Sequence, residues 1–313
     1  MGADIPADAY AEIVAVGPTP KGTVRLARSY HRGALDRLAP HLGESPSVTC
    51  LHPRAVWAGE EIRAGRKPDQ ECLDAIRADL ARARTGIPPL EHVTGHPGYP
   101  QWCRGALDDL RSDILKATGA GKADLAAAAA PDAADHVEEA ARVLRRVWPE
   151  AALECDVLVR AVVYVGGGAF RSATLLRTYG AVYAGAEHLA TPPAAFEMLL
   201  HETGHHSLYL RNAFEVFVVN GDDMVSHPLR PDPRPVSGTL HAAHVLARMA
   251  AGLNRWWAEP GAPAEVRERR DEDLARLHAA VSVLKGAARW TPAGEDYFEN
   301  LLRWERELTE SCA

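Results

Sequence analysis

The sequence predicts an α+β protein that is mostly helical, with a small central β-sheet packed on the helix that carries its main motif. Apolar residues recur at helical spacing through most of the first half of the chain. A run rich in β-branched residues interrupts this pattern at 156–165 and ends at three consecutive glycines. Helical spacing then returns at 194–210 and again beyond residue 238. Helices that flank one small sheet are typical of the α+β class.

The N-terminal part contains helical patterns at 69–84, 102–117 and 124–148. In the first of these, Cys72, Ile76 and Leu80 are spaced so that they share one face. The third is expected to stop and restart at Pro131, with Asp132 as the cap of the second segment. The alanine run 126–130 is then assigned to a helix end or an exposed loop. Connectors that contain proline and glycine separate the helices at 41–53 and 86–100.

The central part is expected to contain three short strands, at 156–165, 169–176 and 180–184. Thr191 and the two prolines after it are typical of a helix start, with Thr191 as the N-cap of a helix over 194–210. A polar, proline-rich loop at 220–235 precedes C-terminal helices at 238–259, 263–285 and 291–309. We therefore expect a helical region at 1–154 and a second region at 155–313.

The composition excludes several classes of protein. Of the 313 residues, 47% are hydrophobic and 25% are charged, which is typical of a globular protein. A net charge of −7 argues against a nucleic-acid partner. No apolar run approaches the roughly 20 residues of a membrane-spanning helix, and no signal-peptide pattern is present. Five cysteines without a C-x-x-C pattern favour free thiols. We predict a soluble, cytoplasmic protein without a membrane partner.

Residues 201–205 read His-Glu-Thr-Gly-His, an H-E-x-x-H motif. Because residues four apart share one face of a helix, the imidazoles of His201 and His205 can point at one metal ion. Glu202 lies beside them as a base or as a hydrogen-bond partner of a ligand. The alternative is a pair of surface histidines, but burying these groups among leucines is costly without a shared partner. The motif therefore predicts a metal site, whereas His206 points to the adjacent face as a polar residue.

The third ligand decides the chemistry of such a site. The completions found in zinc peptidases fail, since Leu208 and Arg211 stand where the extended motif has glycine and histidine. His241 follows His205 by 36 residues, and it falls in the first turn of a new helix, where a side chain can be aimed. It is therefore the leading candidate for the third ligand. The alternatives are His227, His244, Asp222, Asp223 and Asp232.

Two arginines, Arg230 and Arg234, lie in the proline-rich loop that leads to His241. They could be structural and bridge loop carbonyls or Asp232. Their planar guanidinium groups also suit a small dicarboxylate held near a metal by paired hydrogen bonds. A hydrolase has little use for such a group, whereas an iron oxygenase that binds 2-oxoglutarate through the metal and an arginine requires one.

Three segments together resemble a known family: the H-E-x-x-H, then P-x-R-x-D-x-R-P at 228–235, then G-x-L-H at 238–241. The combination is similar to the H-E-x-x-H-type peptide β-hydroxylases, which depend on iron(II) and 2-oxoglutarate and are associated with ribosomally made, modified peptides. The resemblance covers residues 155–245. It implies His201, His205 and His241 as iron ligands, with Arg234 or Arg230 holding the 2-oxo acid. Leu229 and Ala242 depart from the family pattern and leave the shape of the pocket open.

We therefore expect an Fe(II)- and 2-oxoglutarate-dependent dioxygenase whose catalytic region is 155–313. Its partner would be a ribosomally made precursor peptide, hydroxylated at an unactivated β-carbon, and Glu202 would orient a ligand or a water. The alternative is a zinc (Zn²⁺) metallopeptidase in which Glu202 acts as the general base. The occurrence of both Arg234 and His241 in this part of the sequence favours the oxygenase. A peptide-binding module without activity is less consistent with an intact motif.

Overall fold

The computed structural model describes residues 9–43, 48, 50–95, 98–118, 125–128, 130–168, 170–226 and 232–312. Helices dominate this part of the chain beside a small mixed sheet, so the predicted mostly helical α+β class is confirmed. Within these ranges no helix combines the length and the apolar character that crossing a bilayer demands. The helices are α1 (Tyr10–Ile13), α2 (Pro20–Leu42), α3 (Pro53–Arg63), α4 (Gln70–Thr85), α5 (Gln101–Thr118), α6 (Pro131–Val147), α7 (Pro149–Leu158), α8 (Pro192–Asn212), α9 (Val236–Trp257), α10 (Ala264–Ala287) and α11 (Pro292–Cys312).

The main sheet has the strand order β1-β3-β5-β4. Strand β3 pairs in parallel with both β1 and β5, while β4 is antiparallel to β5. Strand β2 pairs with the end of β3, and β6 and β7 form a separate antiparallel ribbon. The strands are β1 (Glu91–Val93), β2 (Ala126–Ala127), β3 (Ala161–Gly166), β4 (Ser172–Thr174), β5 (Ala181–Gly185), β6 (Met224–Val225) and β7 (Arg234–Pro235).

The chain forms two compact units that are interleaved along the sequence. The helical unit comprises Met1–Thr23, Ala141–Glu154 and Phe196–Ala313, and the sheet unit comprises Val24–Ala140 and Cys155–Ala195. The boundary expected between residues 154 and 155 coincides with one of the points at which the chain changes unit. From Phe196 onwards α8 belongs to the helical unit, so the expected packing of the sheet on this helix stays a prediction.

Strands β3 and β5 form the centre of the sheet unit. Residues 161–165 and 181–184 are fully buried and almost wholly apolar, as expected for parallel strands that are covered on both faces. The glycine turn after β3 is confirmed, because Gly167 and Gly168 have φ of 124° and 60°, a region that favours glycine. Glu187 accepts the N–H of Gly168 at 2.9 Å and so helps to fix this turn.

The expected strand at 156–165 is wrong in its first half. Residues 156–158 complete α7, and the strand begins only at Ala161. Val157 and Leu158 are buried there. Packing therefore overrides the preference of such residues for strands, because that preference is weak and depends on context.

The sequence predicts a helix over 124–130, and this prediction is also wrong for the residues of that range that the structure describes. Residues 126–127 form β2, and Ala130 has a positive φ of 46°, which no helix residue adopts. Helix α6 then begins at Pro131, whose fixed φ suits the first helical position. Asp132 lies in the first turn instead of capping the helix.

The other helix predictions are confirmed within a few residues, as α4, α5 and α8–α11. Asp69 caps α4 by accepting the N–H of Cys72 at 2.8 Å. Thr191 accepts the N–H of Ala194 at 3.3 Å at the start of α8, as the sequence predicts. The five cysteines are free thiols, as expected.

Candidate metal centre

Helix α8 places the two motif histidines one turn apart. Nε2 of His201 lies 3.1 Å from Nε2 of His205, and the two rings meet edge to face with their centroids 4.7 Å apart. On the same helix Leu199, Leu200 and Leu208 are almost completely buried and anchor it in the core of the helical unit. The predicted approach of the two imidazoles is therefore present.

Helix α9 brings the third predicted ligand to this pair. Nδ1 of His241 lies 3.1 Å from Nδ1 of His205, and the two rings stack at 5.3 Å with an angle of 28°. Because α9 begins at Val236, directly after Pro235, His241 lies in the second turn and not in the first turn that the sequence predicts. His201, His205 and His241 thus form one cluster, which we call the histidine cluster.

Burial keeps two rings of the histidine cluster, His205 and His241, uncharged. It lowers the pKa of His241 from 6.5 to about 4. The pKa of His205 is lowered well below 6.5, first by burial and then by the neighbouring histidines. A neutral His205 that hydrogen-bonds through both nitrogens donates to one neighbour and accepts from the other. Neutral imidazole is also the form that binds a metal.

One distance in the cluster is of the size expected for a shared ion. Nitrogens bound to one ion at about 2.0–2.1 Å lie roughly 3 Å from each other, and Nε2 of His201 lies 3.1 Å from Nε2 of His205. His241 approaches the other nitrogen of His205, Nδ1, at 3.1 Å. Three neutral imidazoles suit Fe²⁺ or Zn²⁺. Among the described residues no three donor groups already point at one centre, because His205 offers a different nitrogen to each neighbour. To hold one ion together, at least one ring must turn.

Glu202 is fully buried next to the cluster. Its Oε1 lies 3.9 Å from Nε2 of His201. This position fits both roles considered for the residue, as a hydrogen-bond partner that orients a ligand and as a base close to the ion.

Tyr209 is a neighbour of the cluster that the sequence reasoning did not identify. Its ring lies 4.6 Å from His241 and 6.4 Å from His205, measured between centroids. Burial raises its pKa, and the charge of Glu202 adds to this effect. The signal was its spacing, because Tyr209 follows His205 by four residues and so shares the face of α8 that carries both histidines.

The residues considered as alternative ligands differ in their burial and in their hydrogen bonds. His244 is completely buried, and its Nδ1 hydrogen-bonds the hydroxyl of Tyr297 at 2.8 Å. His206 is buried as well, on the adjacent face of α8 as predicted. Asp222, Asp223 and Asp232 are exposed, and Asp223 accepts a hydrogen bond from Asn220 at 3.0 Å. His227 lies outside the described residues.

Arg234 lies on β7, opposite Val225 of β6, and is exposed. Its neighbour Pro235 directly precedes α9, the helix that carries His241. Arg230 and Leu229 lie outside the described residues. The predicted anchoring of a 2-oxo acid by either arginine therefore stays a prediction.

A buried ionic cluster joins the two helices that carry the histidines. Glu154, at the centre of α7, pairs with Arg248 of α9 and accepts a hydrogen bond from Ser207 of α8 at 3.1 Å. Arg211, also on α8, lies 3.7 Å from the same carboxylate and donates to Ser207. Sequence reasoning did not find this cluster, because its members are scattered along the chain. Three histidines on connected helices therefore approach one another, and metal binding by them stays a prediction. Compared with known protein families and with curated proteins, the chain matches none.

Proposed function

We propose that the chain is an Fe(II)- and 2-oxoglutarate-dependent dioxygenase that hydroxylates an unactivated β-carbon in a ribosomally made peptide. One observation supports this most: His241, on a second helix, approaches the H-E-x-x-H pair to 3.1 Å. Iron(II) held by three histidines would supply oxidation by dioxygen, with positions left for a chelating 2-oxo acid. The choice of an oxygenase rests further on the arginine-rich loop before His241.

The chain's own residues would divide the remaining work. His201, His205 and His241 would hold the ion, and buried Glu202 would orient His201 or a water through a hydrogen bond. Tyr209, packed on the His241 ring, would restrict its rotation and exclude water from that side. Arg234, or Arg230, would bind the distal carboxylate of 2-oxoglutarate through paired, charge-assisted hydrogen bonds.

A zinc peptidase is the second candidate, and the position of Glu202 favours it. A carboxylate oxygen at 3.9 Å from a ligand nitrogen is close enough to take a proton at the ion. In that reaction Glu202 would act as general base towards a peptide bond, and no arginine for a 2-oxo acid would be needed.

The direct test is turnover of 2-oxoglutarate. The chain is first loaded anaerobically with iron. It is then exposed to dioxygen and 2-oxoglutarate together with a peptide whose gene lies next to the gene of this chain. The formation of succinate and the mass of the peptide are measured. We expect succinate together with one added oxygen on the peptide, and neither product with His241→Ala. Cleavage of the peptide by the zinc-loaded chain without 2-oxoglutarate would instead support the peptidase.

Glu202→Gln separates the two candidates at a single residue. Loss of a general base typically costs about 10²- to 10⁴-fold in turnover, which is expected for a peptidase. An oxygenase should keep measurable succinate formation, because Glu202 there only orients other groups. Glu215→Gln, beyond the end of α8, is the matched control and should change neither activity. Complete loss of succinate formation in Glu202→Gln with normal iron content would argue against the orienting role.

A further inference from the structure

A cleft of about 370 Å³ lies wholly within the sheet unit and contains no residue of the histidine cluster. It is bounded by the start of α3, the second half of α4, the loop before β1 and the residue before β3. Its volume falls within the range of about 300–1,000 Å³ typical of small-molecule pockets. One wall is apolar and is formed largely by Leu51, Leu80, Pro88, Pro89 and Leu90.

The polar wall of the cleft carries two carboxylates that are already engaged. Asp79 accepts a hydrogen bond from Arg54 at 2.7 Å and also pairs with Arg82. Glu91 accepts a hydrogen bond from Nε2 of His52 at 2.7 Å, and this bond is the main cause that lowers the pKa of Glu91. Both acids are therefore held in place by their partners.

His52 lies between the two acids of this wall. Its Nδ1 accepts the backbone N–H of Arg54 at 3.1 Å and lies 3.6 Å from Asp79. Its Nε2 lies 2.7 Å from Glu91. These contacts hold the ring in one orientation.

Arg160 is the cation of the cleft that has no acidic partner. Only 4% of the residue is exposed, and it donates to the backbone carbonyls of Asp156, Pro88 and Pro89. No carboxylate pairs with it among the described residues. The three bonds leave Nε and one hydrogen of Nη1 available to another acceptor. A buried charge without a counter-charge is costly, and carbonyl dipoles compensate for it only in part.

The wall therefore holds three guanidinium groups against two carboxylates. We propose that the cleft binds an organic anion with one carboxylate and an apolar body. The carboxylate would supply the missing negative charge beside Arg160, and the body would pack on the leucines and prolines. The apolar wall and the single unbalanced charge favour such a ligand over a phosphate ester. The proposal uses no residue of the proposed oxygenase and stands whether or not that function is correct.

Calorimetric titration of the full chain tests this proposal with paired probes. Hexanoate and hexanamide represent a free acid, while N-acetyl-leucine and its amide represent the C-terminus of a peptide. We expect saturable binding of at least one carboxylate and none of its amide, and the better of the two acids identifies the source. Equal binding of acid and amide, or no saturable binding of either acid, would overturn the proposal.

Variants then locate the interaction. Arg160→Gln should weaken carboxylate binding by about 10- to 100-fold, the value of a charge-assisted hydrogen bond. Arg82→Gln removes a guanidinium whose side chain is 60% exposed, and it should weaken binding several-fold by cancelling the net positive charge. Arg66→Gln, at an exposed pair elsewhere in the sheet unit, is the control and should leave binding unchanged. Unchanged affinity in Arg82→Gln would contradict the proposal even if Arg160→Gln failed to fold.

Discussion

Burial holds His31, His205, His241 and His244 in their uncharged form. Burial lowers the pKa of His31 and His241 to about 4, and the pKa values of His205 and His244 lie well below 6.5. In the unfolded chain these rings titrate near 6.5. Through these four rings the unfolded state thus binds more protons than the folded state between about pH 4 and 6.5. Their contribution to the free energy of unfolding rises with pH in this window.

We predict that the metal-free protein loses stability as the pH falls from about 7 to 4.5, as measured by urea unfolding. His31→Phe should reduce this loss, because one ring with this shift contributes up to about 3 kcal/mol. Phenylalanine can replace the edge contacts of His31 with Tyr30 and Tyr179. His278→Gln, at a ring whose side chain is 44% exposed, is the control and should leave the slope unchanged. A His31→Phe slope equal to that of the wild type would show that this ring titrates normally in the folded protein.

Arg234 is the residue on which the choice of oxygenase depends most. Arg234→Gln should reduce the affinity for 2-oxoglutarate by about 10- to 150-fold, the effect of losing a charge-assisted pair, while iron content stays unchanged. Arg234→Lys should not restore the affinity for 2-oxoglutarate, because an ammonium group lacks the planar, two-pronged geometry of a guanidinium group. The measurement is an anaerobic titration of the iron-loaded protein followed by absorption. Arg289→Gln, at another exposed arginine of the helical unit, is the control.

Wild-type affinity in Arg234→Gln and in the corresponding Arg230 variant would remove the main support for the oxygenase. The zinc peptidase would then become the better candidate.

At the residue scale, the four-residue spacing predicted that His201 and His205 share one face of a helix, and the structure places them together. His241 was the leading third candidate because of its place at the start of the next predicted helix. The sequence could not separate it from His244, which is three residues further along α9. In the structure His241 contacts His205, while Nδ1 of His244 hydrogen-bonds the hydroxyl of Tyr297, which comes from α11. A partner so distant in sequence leaves no local pattern.

At the scale of elements, the carboxylate of Glu154 ties α7 to α8 and α9. Burial by itself would raise its pKa, but the charges of Arg248 and Arg211 hold the pKa below its usual range. Thr23 donates a further hydrogen bond at 2.9 Å. Because α8 and α9 also carry the histidine cluster, their spacing depends on this buried network.

We predict that Glu154→Ala lowers the free energy of unfolding by about 3–5 kcal/mol, since two buried guanidinium groups lose their counter-charge. The same variant should bind iron more weakly, because the distance between His205 and His241 is then less well fixed. Urea unfolding and anaerobic iron titration measure the two effects. Glu150→Ala, at an exposed acid of the same helix, should change neither. A loss of stability below about 1 kcal/mol would contradict a network of this strength.

Sequence patterns predicted the long helices well, because their apolar spacing extends over several turns. They failed where one short segment fits two structures. Residues 156–158 have a strand-like composition but end a helix, since packing of Val157 and Leu158 decides their conformation. The two-residue strand β2 depends on pairing with Val165 and Gly166, which the alanine run does not reveal.

At the scale of the whole molecule, the fold class could be predicted but the division into units could not. Each unit collects segments from distant parts of the chain, so that Thr23 and Glu154 meet α8 and α9. Such long-range contacts depend on complementary burial, which periodicity does not encode. The histidine cluster and the network around Glu154 both lie in the helical unit, and this makes metal binding the property that tests the fold and the site together.

The central claim is that His201, His205 and His241 hold one metal ion. The most direct measurement is the iron bound per chain after anaerobic loading, compared between wild type, His241→Ala and His244→Ala. We predict about one ion in the wild type and in His244→Ala, which loses only its bond to Tyr297 and some stability. His241→Ala should hold far less iron, because one of the three ligands is missing. One ion per chain in His241→Ala, or loss of iron in folded His244→Ala alone, would contradict the account.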